Sequence, residues 1–304
     1  MLSLRQLEVF REVVRRGSIS AAAHSLGIAQ PSVSNTVRRL EDVLGVKLFI
    51  RTASGLRPTV IGQQVFDASN PTLAALEHLS ETVMEVVRGG HIVFRMGATP
   101  SVANALGPRV LALFARHRPA TRLRLDTISM KQVRDYLLVG EGDCAVTIVP
   151  MDDPAFVTQR LSSVGMTCVV PRDHRLAAQD DISAADLDGE PLIYLHPRSP
   201  YLENFAALLA GAGVQPRIAI EARFTNTAPQ LIREGFGIAP IDELTARGVH
   251  DPSLKVLPIR GAARHPLLFQ VRADKVGEAD IELFYRCLRD AVDSFGLPDE
   301  RDGI

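Results

Sequence analysis

Residues 18–34 read SISAAAHSLGIAQPSVS, and this stretch decides the architecture of the amino-terminal part of the chain. Ser18 is placed to cap a helix running from Ile19 to Leu26, in which Ala21, Ala22 and Ala23 are small enough for two helices to cross closely. Gly27 stops that helix. Pro31 then falls in the first turn of the next one, where a missing N–H costs nothing. In that third helix Val33, Val37, Leu40 and Leu44 share one face at helical spacing. Steps of about 100° per residue turn Pro31, Ser32, Asn35, Arg38 and Arg39 outward, with Gln30 and Ser34 at the flanks.

Upstream, Ser3 followed by Gln6 has the capping-box spacing, which predicts a helix from about Leu4. Leu4, Leu7, Phe10, Val13 and Val14 form its apolar stripe, and Gly17 ends it. The pattern is helix, tight glycine turn, helix, with amide, hydroxyl and guanidinium groups on the last outer face. Such groups read base edges and hold phosphates in a major groove. A plain three-helix bundle with a solvated face has the same pattern, so periodicity alone leaves both readings open.

Charge separates this head from the rest. Residues 1–58 carry nine Lys/Arg against four acids, a net of +5, while residues 59–304 carry 25 against 31, a net of −6. A basic head on a mildly acidic body suggests a polyanionic partner for the head only. The 304 residues amount to about two domains at ~150 residues each. Hydrophobic content of 46%, charged content of 23% and a mean hydropathy of +0.09 describe an ordinary soluble globular chain. Cys144, Cys168 and Cys287 are odd in number and far apart, which excludes a disulfide framework and points to a reducing compartment. Met1-Leu2-Ser3 leads straight into the first helix pattern without a signal peptide, and no run reaches the ~18 apolar residues of a membrane span. The expected location is the cytoplasm, with no membrane partner.

Residues 21–34, followed by Leu40-Glu41, Leu44-Gly45, Leu48-Phe49, Arg51, Pro58-Thr59 and Gly62, resemble the DNA-binding region of LysR-type transcriptional regulators through about the first 65 residues. The resemblance implies a winged helix-turn-helix over residues 1–58, with Lys47–Ile50 and Gly55–Arg57 as the wing. It also implies DNA contacts from Gln30, Pro31, Ser32, Ser34, Asn35 and Arg38, with Arg51 and Arg57 from the wing. Asn35 and Ser54 depart from the arginines that many members carry there, which bears on base preference rather than on groove insertion.

From Thr59 to about Arg88, Val60, Val65, Phe66, Leu73, Leu76, Leu79, Val83 and Val86 recur at three- and four-residue steps. A helix with one apolar stripe and no obvious partner in its own chain suggests a self-association seam, although packing on its own domain would use the same stripe. The resemblance implies that this linker, residues 59–90, makes the dimer. Asn70-Pro71 predicts a kink or break in it, and Gly89-Gly90 a joint after it.

Beyond residue 90 the pattern changes to strand, helix, strand: residues 92–96, a helix stripe of Leu106, Val110, Leu113 and Phe114, then Leu123 and Leu125, a stripe of Met130, Val133 and Leu137, and Cys144–Val149. This predicts a doubly wound parallel sheet. A second α/β set follows, and the last helix carries Ile281, Phe284, Leu288, Ala291 and Phe295. The resemblance implies a two-lobed effector domain shaped like a type 2 periplasmic binding protein, spanning 91–304. Its first lobe is expected at 91–160 and 267–304, and its second at 161–266.

Three helix starts follow strand ends: Thr99-Pro100-Ser101, Ser199-Pro200-Tyr201 and Thr225-Asn226-Thr227. Free N–H groups with a hydroxyl or amide suit a small carboxylate, and ordinary capping uses the same residues. The resemblance implies an inter-lobe effector pocket involving Thr99, Ser101, Ser129, Met130, Ile148, Ser199 and Thr225, with Arg198 as a candidate charge partner. Residues 168–177, CVVPRDHRLA, and 186–195, DLDGEPLIYL, are most similar to the branch of the family named for LysR itself. That branch's effectors include amino acids and opines, and the similarity implies an amino-acid-like effector.

No phosphate-loop, nucleophile-elbow or metalloprotease motif occurs, and the eight histidines lack ligand spacing. Neither a metal nor a cofactor is expected. Cys144 and Cys168 read as inert strand residues, and Asp143 as structural. The expected function is a non-enzymatic, homodimeric or homotetrameric regulator that binds two-fold-related double-stranded DNA, senses a small anionic metabolite and contacts RNA polymerase. The rival is a metabolite-binding or enzymatic α/β protein whose first helices serve only assembly.

Overall fold

Ser3 starts helix α1 (Leu4–Arg16) through a reciprocal capping box, in which its Oγ accepts the Gln6 N–H at 3.3 Å and its own N–H donates to Gln6 Oε1 at 2.9 Å. Ser18 caps α2 (Ile19–Leu26), and Ala22 and Ala23 lie sealed where the helices cross. Helix α3 (Gln30–Leu44) buries Val33, Val37 and Leu40. A hairpin of β1 (Phe49–Thr52) and β2 (Gly55–Pro58) follows, then the 28-residue helix α4 (Val60–Val87). The computed structural model describes residues 2–52, 55–87, 93–195 and 200–298, and the chain divides into two units, 1–90 and 91–304.

Two findings differ from expectation in the first unit. Helix α4 runs unbroken through position 71. Its first half also has a partner within the chain. Val65 and Phe66 pack on a core of Phe10, Leu40 and Leu48, Leu73 is 1% exposed, and Glu77, one turn further on, pairs with Arg11 of α1. Anchoring on both sides of the proline offsets the roughly 3 kcal/mol that an interior proline costs. Past that anchored half the stripe is open: Leu79, Val83, Met84 and Val87 are all exposed. Thr59 explains the Pro58-Thr59…Gly62 motif. Its hydroxyl accepts the Gly62 N–H at 2.9 Å, and a Cβ on Gly62 would stand 2.2 Å from the Leu48 carbonyl oxygen.

The second unit begins with β3 (Val93–Ala98), α5 (Pro100–Ala105), α6 (Gly107–His117), β4 (Arg122–Thr127), α7 (Met130–Leu138), β5 (Cys144–Thr147) and β6 (Phe156–Val164). Then come β7 (Met166–Pro171), β8 (Pro191–Leu195), α8 (Pro200–Gly211), β9 (Arg217–Ala222), α9 (Ala228–Arg233), β10 (Ala239–Asp242) and α10 (Glu243–Arg247). The last elements are β11 (Leu254–Pro258), β12 (His265–Arg272) and α11 (Ala279–Phe295).

The first lobe's sheet runs β4-β3-β5-β12-β6, with β3 parallel to β4 and β5 but β12 antiparallel to β5 and β6. The three strands that the strand-helix alternation predicted to be parallel are so, and β12, antiparallel to both its neighbours, makes the whole sheet mixed. The chain leaves the lobe along β6 and returns along β12, and these two crossover strands pair with each other. Phe94, Phe114, Phe269 and Phe284 fill the face under α6 and α11, and Val133, Tyr136 and Leu137 of α7 cover the other. The Tyr136 ring lies where a Cβ on Gly142 would fall, 1.9 Å away, so the Gly140-Glu141-Gly142 turn serves packing.

The second lobe holds an antiparallel sheet β10-β7-β11 and the parallel pair β8-β9. Ile148 packs on the cores of both lobes, and Leu244 of α10 is buried in the core of the first. No helix among the described residues is long and apolar enough to cross a membrane.

Leu73→Ala removes a fully buried side chain from the α4 anchor. Chemical denaturation of the full-length protein should show the amino-terminal unit losing about 2–5 kcal/mol.

Candidate nucleic-acid interface and effector pocket

Burying Val33, Val37 and Leu40 turns the opposite side of α3 outward, so Gln30, Pro31, Ser32, Asn35, Arg38 and Arg39 are exposed and Ser34 is half-buried at the margin. Gln30 is steadied by the Ser20 hydroxyl at 3.1 Å. The charge pairing in this unit is selective. Arg5, Arg11, Arg16 and Lys47 each pair with a glutamate, whereas Arg38, Arg51 and Arg57 make no ion pair among the described residues. In the hairpin, Arg51 stands opposite Leu56 and Arg57 opposite Ile50, so strand alternation puts the two guanidinium groups on opposite faces of the ribbon.

Glu41 fixes the angle between helix and wing, a role its place in the Leu40-Glu41 motif did not reveal. It is 9% exposed, accepts the Leu48 N–H at 2.9 Å and the Lys47 ammonium at 2.6 Å, and so ties α3 to the start of the hairpin. Burial pushes its pKa up, but the bonds from Lys47 and the Leu48 backbone outweigh that and hold the carboxyl below its usual 4.5.

In the second unit, the carboxyl ends of three adjacent strands bring candidate residues to one sheet edge: Thr99 after β3, Ser129 after β4 and Ile148 after β5. The Thr99 N–H donates to Val146 and the Ile128 N–H to Ala98, which fixes their register. Thr99 is 5% exposed, and its Oγ1 is buried with no hydrogen-bond partner among the described residues. Ser101 is buried in the first turn of α5. Ser129 is less available, since its hydroxyl donates to Gln132 Oε1 at 2.7 Å. Met130 is half-buried against the α7 core.

Thr225 sits in a short 3-10 turn (Thr225–Thr227) lying against α5, not at the cap of a helix, and α9 begins only at Ala228. Its Oγ1 donates to Asp242 Oδ2 at 2.9 Å, so its proton is committed. Asp242 is 2% exposed and also accepts the Thr245 N–H and hydroxyl, each at 2.8 Å; burial pulls its pKa up against those bonds. Sequence reading missed Asp242 because its partners Thr225 and Thr245 meet it only through the fold. Arg198 and Ser199 lie outside the described residues.

Next to Asp242, Glu243 spans the lobe crossovers. It accepts the Gly165 N–H and a guanidinium N–H of Arg264, each at 3.1 Å. Arg264 also donates to the Ser163 hydroxyl at 2.7 Å and carbonyl at 2.8 Å. Arg247, one turn along α10, pairs with Glu243 and reaches the carbonyls of Phe295 and Gly296 at the end of α11. Cys144 and Cys168 are fully buried, and burial raises both thiols, so neither is poised as a thiolate. Asp143 is structural: its carboxylate takes the Arg95 N–H and the Lys275 ammonium.

A three-helix head with a hairpin wing, joined to a two-lobed α/β body, is the architecture of a ligand-responsive DNA-binding regulator. Residues 4–63 match the family described as bacterial regulatory helix-turn-helix protein, lysR family, and residues 88–293 match the LysR substrate binding domain. The chain belongs to the LysR family; it is a transcriptional regulator, not an enzyme. Among its relatives are the regulatory protein NocR of Agrobacterium tumefaciens, 30% identical over 81% of this chain and 82% of NocR, and OccR, the octopine catabolism/uptake operon regulatory protein of Rhizobium meliloti, 28% identical over 81% of each. The crystal structure of CbnR, a LysR family transcriptional regulator, shares the fold with a TM-score of 0.70 at 20% identity over 95% of this chain and 99% of CbnR.

The depressed folded-state pKa of Glu41 adds stability above its unfolded value of about 4.5, and that stability is lost as pH falls through the lower folded value. Acid unfolding of the head, followed by circular dichroism, should therefore be steeper in this window than in Glu41→Gln.

Proposed function

We propose that two copies of the head insert α3 into successive major grooves of a two-fold-related operator. In this reading Gln30, Ser32, Ser34, Asn35 and Arg38 touch bases and phosphates, Pro31 lies close to the backbone, and the wing enters edge-on with Arg51 and Arg57. The absence of ion pairs for Arg38, Arg51 and Arg57 among the described residues supports this reading, because exposed guanidinium groups with no internal carboxylate partner are available to displace the counterions of phosphates. The hairpin's two-faced placement of Arg51 and Arg57 suits a ribbon entering a groove on its edge. The open second half of α4, with Leu79, Val83, Met84 and Val87, makes the seam of a dimer, or of a tetramer built from dimers. The regulator works in the cytoplasm and contacts RNA polymerase.

The body senses a small carboxylate or amino-acid-like effector between its lobes. One observation carries this reading: the buried hydroxyl of Thr99, without a partner among the described residues, at the carboxyl end of the sheet, where ligands of α/β folds bind. Orphaned buried hydroxyls are rare and costly, and a ligand oxygen would satisfy this one. Ser101, Ser129, Met130, Ile148, Arg198 and Ser199 complete the pocket. Thr225 belongs to the same proposed pocket, with its hydroxyl proton given to Asp242. The relative OccR is named for an octopine operon, which fits an amino-acid-derived effector. Effector binding favours one lobe arrangement and so changes how the heads sit on DNA, a coupling of typically about 1–3 kcal/mol.

Fluorescence anisotropy with an operator duplex tests the head. Arg38→Ala should weaken binding and reduce the log–log salt slope by about 1 per chain; an unchanged slope would remove Arg38 from the interface. For the body, Thr99→Val is nearly isosteric and should abolish the effector-induced thermal shift while leaving operator affinity intact.

A further inference from the structure

The second unit contains a cavity of about 310 Å3 that shares no residue with the strand-end pocket. Its walls come from both lobes: Asn104 at the end of α5 on one side, and Arg233, Asp251, Asn226 and Thr245 on the other. Leu244 and Val249 supply apolar wall.

Two opposite charges line this space and meet only in a loose ion pair. Arg233 Nη1 stands 3.5 Å from Asp251 Oδ2, longer than the roughly 2.7–2.9 Å of a charge-assisted bond, and Arg233 makes no hydrogen bond among the described residues. Asp251 is held ionised from its far side. Its Oδ1 accepts the Ser253 hydroxyl at 2.6 Å and N–H at 2.9 Å, which lower its pKa and leave Oδ2 turned to Arg233. The Thr245 hydroxyl is engaged with Asp242, while the side-chain amides of Asn104 and Asn226 make no hydrogen bond among the described residues.

These charges select a ligand. A plain carboxylate could fork onto Arg233 but would meet the Asp251 carboxylate, and a plain amine would meet the guanidinium. A molecule carrying a carboxylate and an ammonium on one carbon satisfies both. The volume lies at the lower end of the ~300–1,000 Å3 of small-molecule sites, suiting such a molecule better than a nucleotide or a disaccharide. We infer that this cavity is a second ligand site, for a free α-amino acid, with Arg233 on its carboxylate, Asp251 on its ammonium and Asn104 reaching it from the other lobe. The site stands whether or not the strand-end pocket binds an effector. Occupancy would tie α5 of one lobe to α9 of the other and so favour the lobe arrangement seen here.

The test uses the full-length protein and the twenty common L-amino acids, screened by thermal shift, with titration calorimetry on the strongest. The amine and the carboxylic acid with the same side chain serve as comparators. At least one amino acid should bind, with both comparators at least tenfold weaker. Arg233→Ala and Asp251→Asn should each cost at least tenfold. Asn104→Leu, which fills the hollow from an exposed position without changing charge, should do the same, so the outcome does not hang on one variant. The proposal is overturned if no amino acid binds, if a comparator binds equally well, or if Arg233→Ala keeps the affinity that Thr99→Val loses.

Discussion

Phe10, Leu40 and Leu48 are closed to solvent and come from three separate pieces of chain: the first helix, the third helix and the lead-in to the wing. The orientation of the exposed groups on α3 and the hairpin depends on their contact. Leu40 sets the rotation of α3 and thereby points Arg38 and Asn35 away from the bundle. Leu48 places the hairpin, and Glu41, buried beside it, stops the hairpin from swinging by holding the Leu48 N–H. Val65 and Phe66 bring α4 onto the same core. One small apolar cluster therefore positions the recognition surface, the wing and the start of the linker together.

Much of this was legible in the sequence because it is local. The capping box at Ser3, the glycine stops at Gly17 and Gly27, Pro31 in the first turn and the stripe through Leu40 are all governed by neighbours within a few residues. What escaped is set by contacts between distant residues. Pro71 promised a break, and packing on both sides of it kept the helix whole. Strand alternation in the body foretold the parallel β4-β3-β5, but not β12, which returns from the second lobe and pairs antiparallel, a reversal that no periodicity records. The engagement of Thr225 with Asp242 joins residues 17 apart in sequence through the second lobe's packing.

The body repeats this economy of anchors around α10. Asp242 caps that helix from a buried position and also holds Thr225. Glu243 receives both crossovers, through Gly165 and Arg264, and Arg247 fastens the helix to the end of α11. Because β6 and β12 pair along their length, the crossovers behave as a ribbon rather than two independent strings.

The unbroken course of α4 has a mechanical consequence. Twenty-eight residues at 1.5 Å each make a rod of about 42 Å. A tilt of about 5° at one end of such a rod carries its far end through about 4 Å, close to the ~3.4 Å step between successive bases on a DNA strand. A helix hinged at its middle would absorb a turn that small. A continuous one carries it along its whole length, and in the proposed complex that is a shift of about one base at the far end.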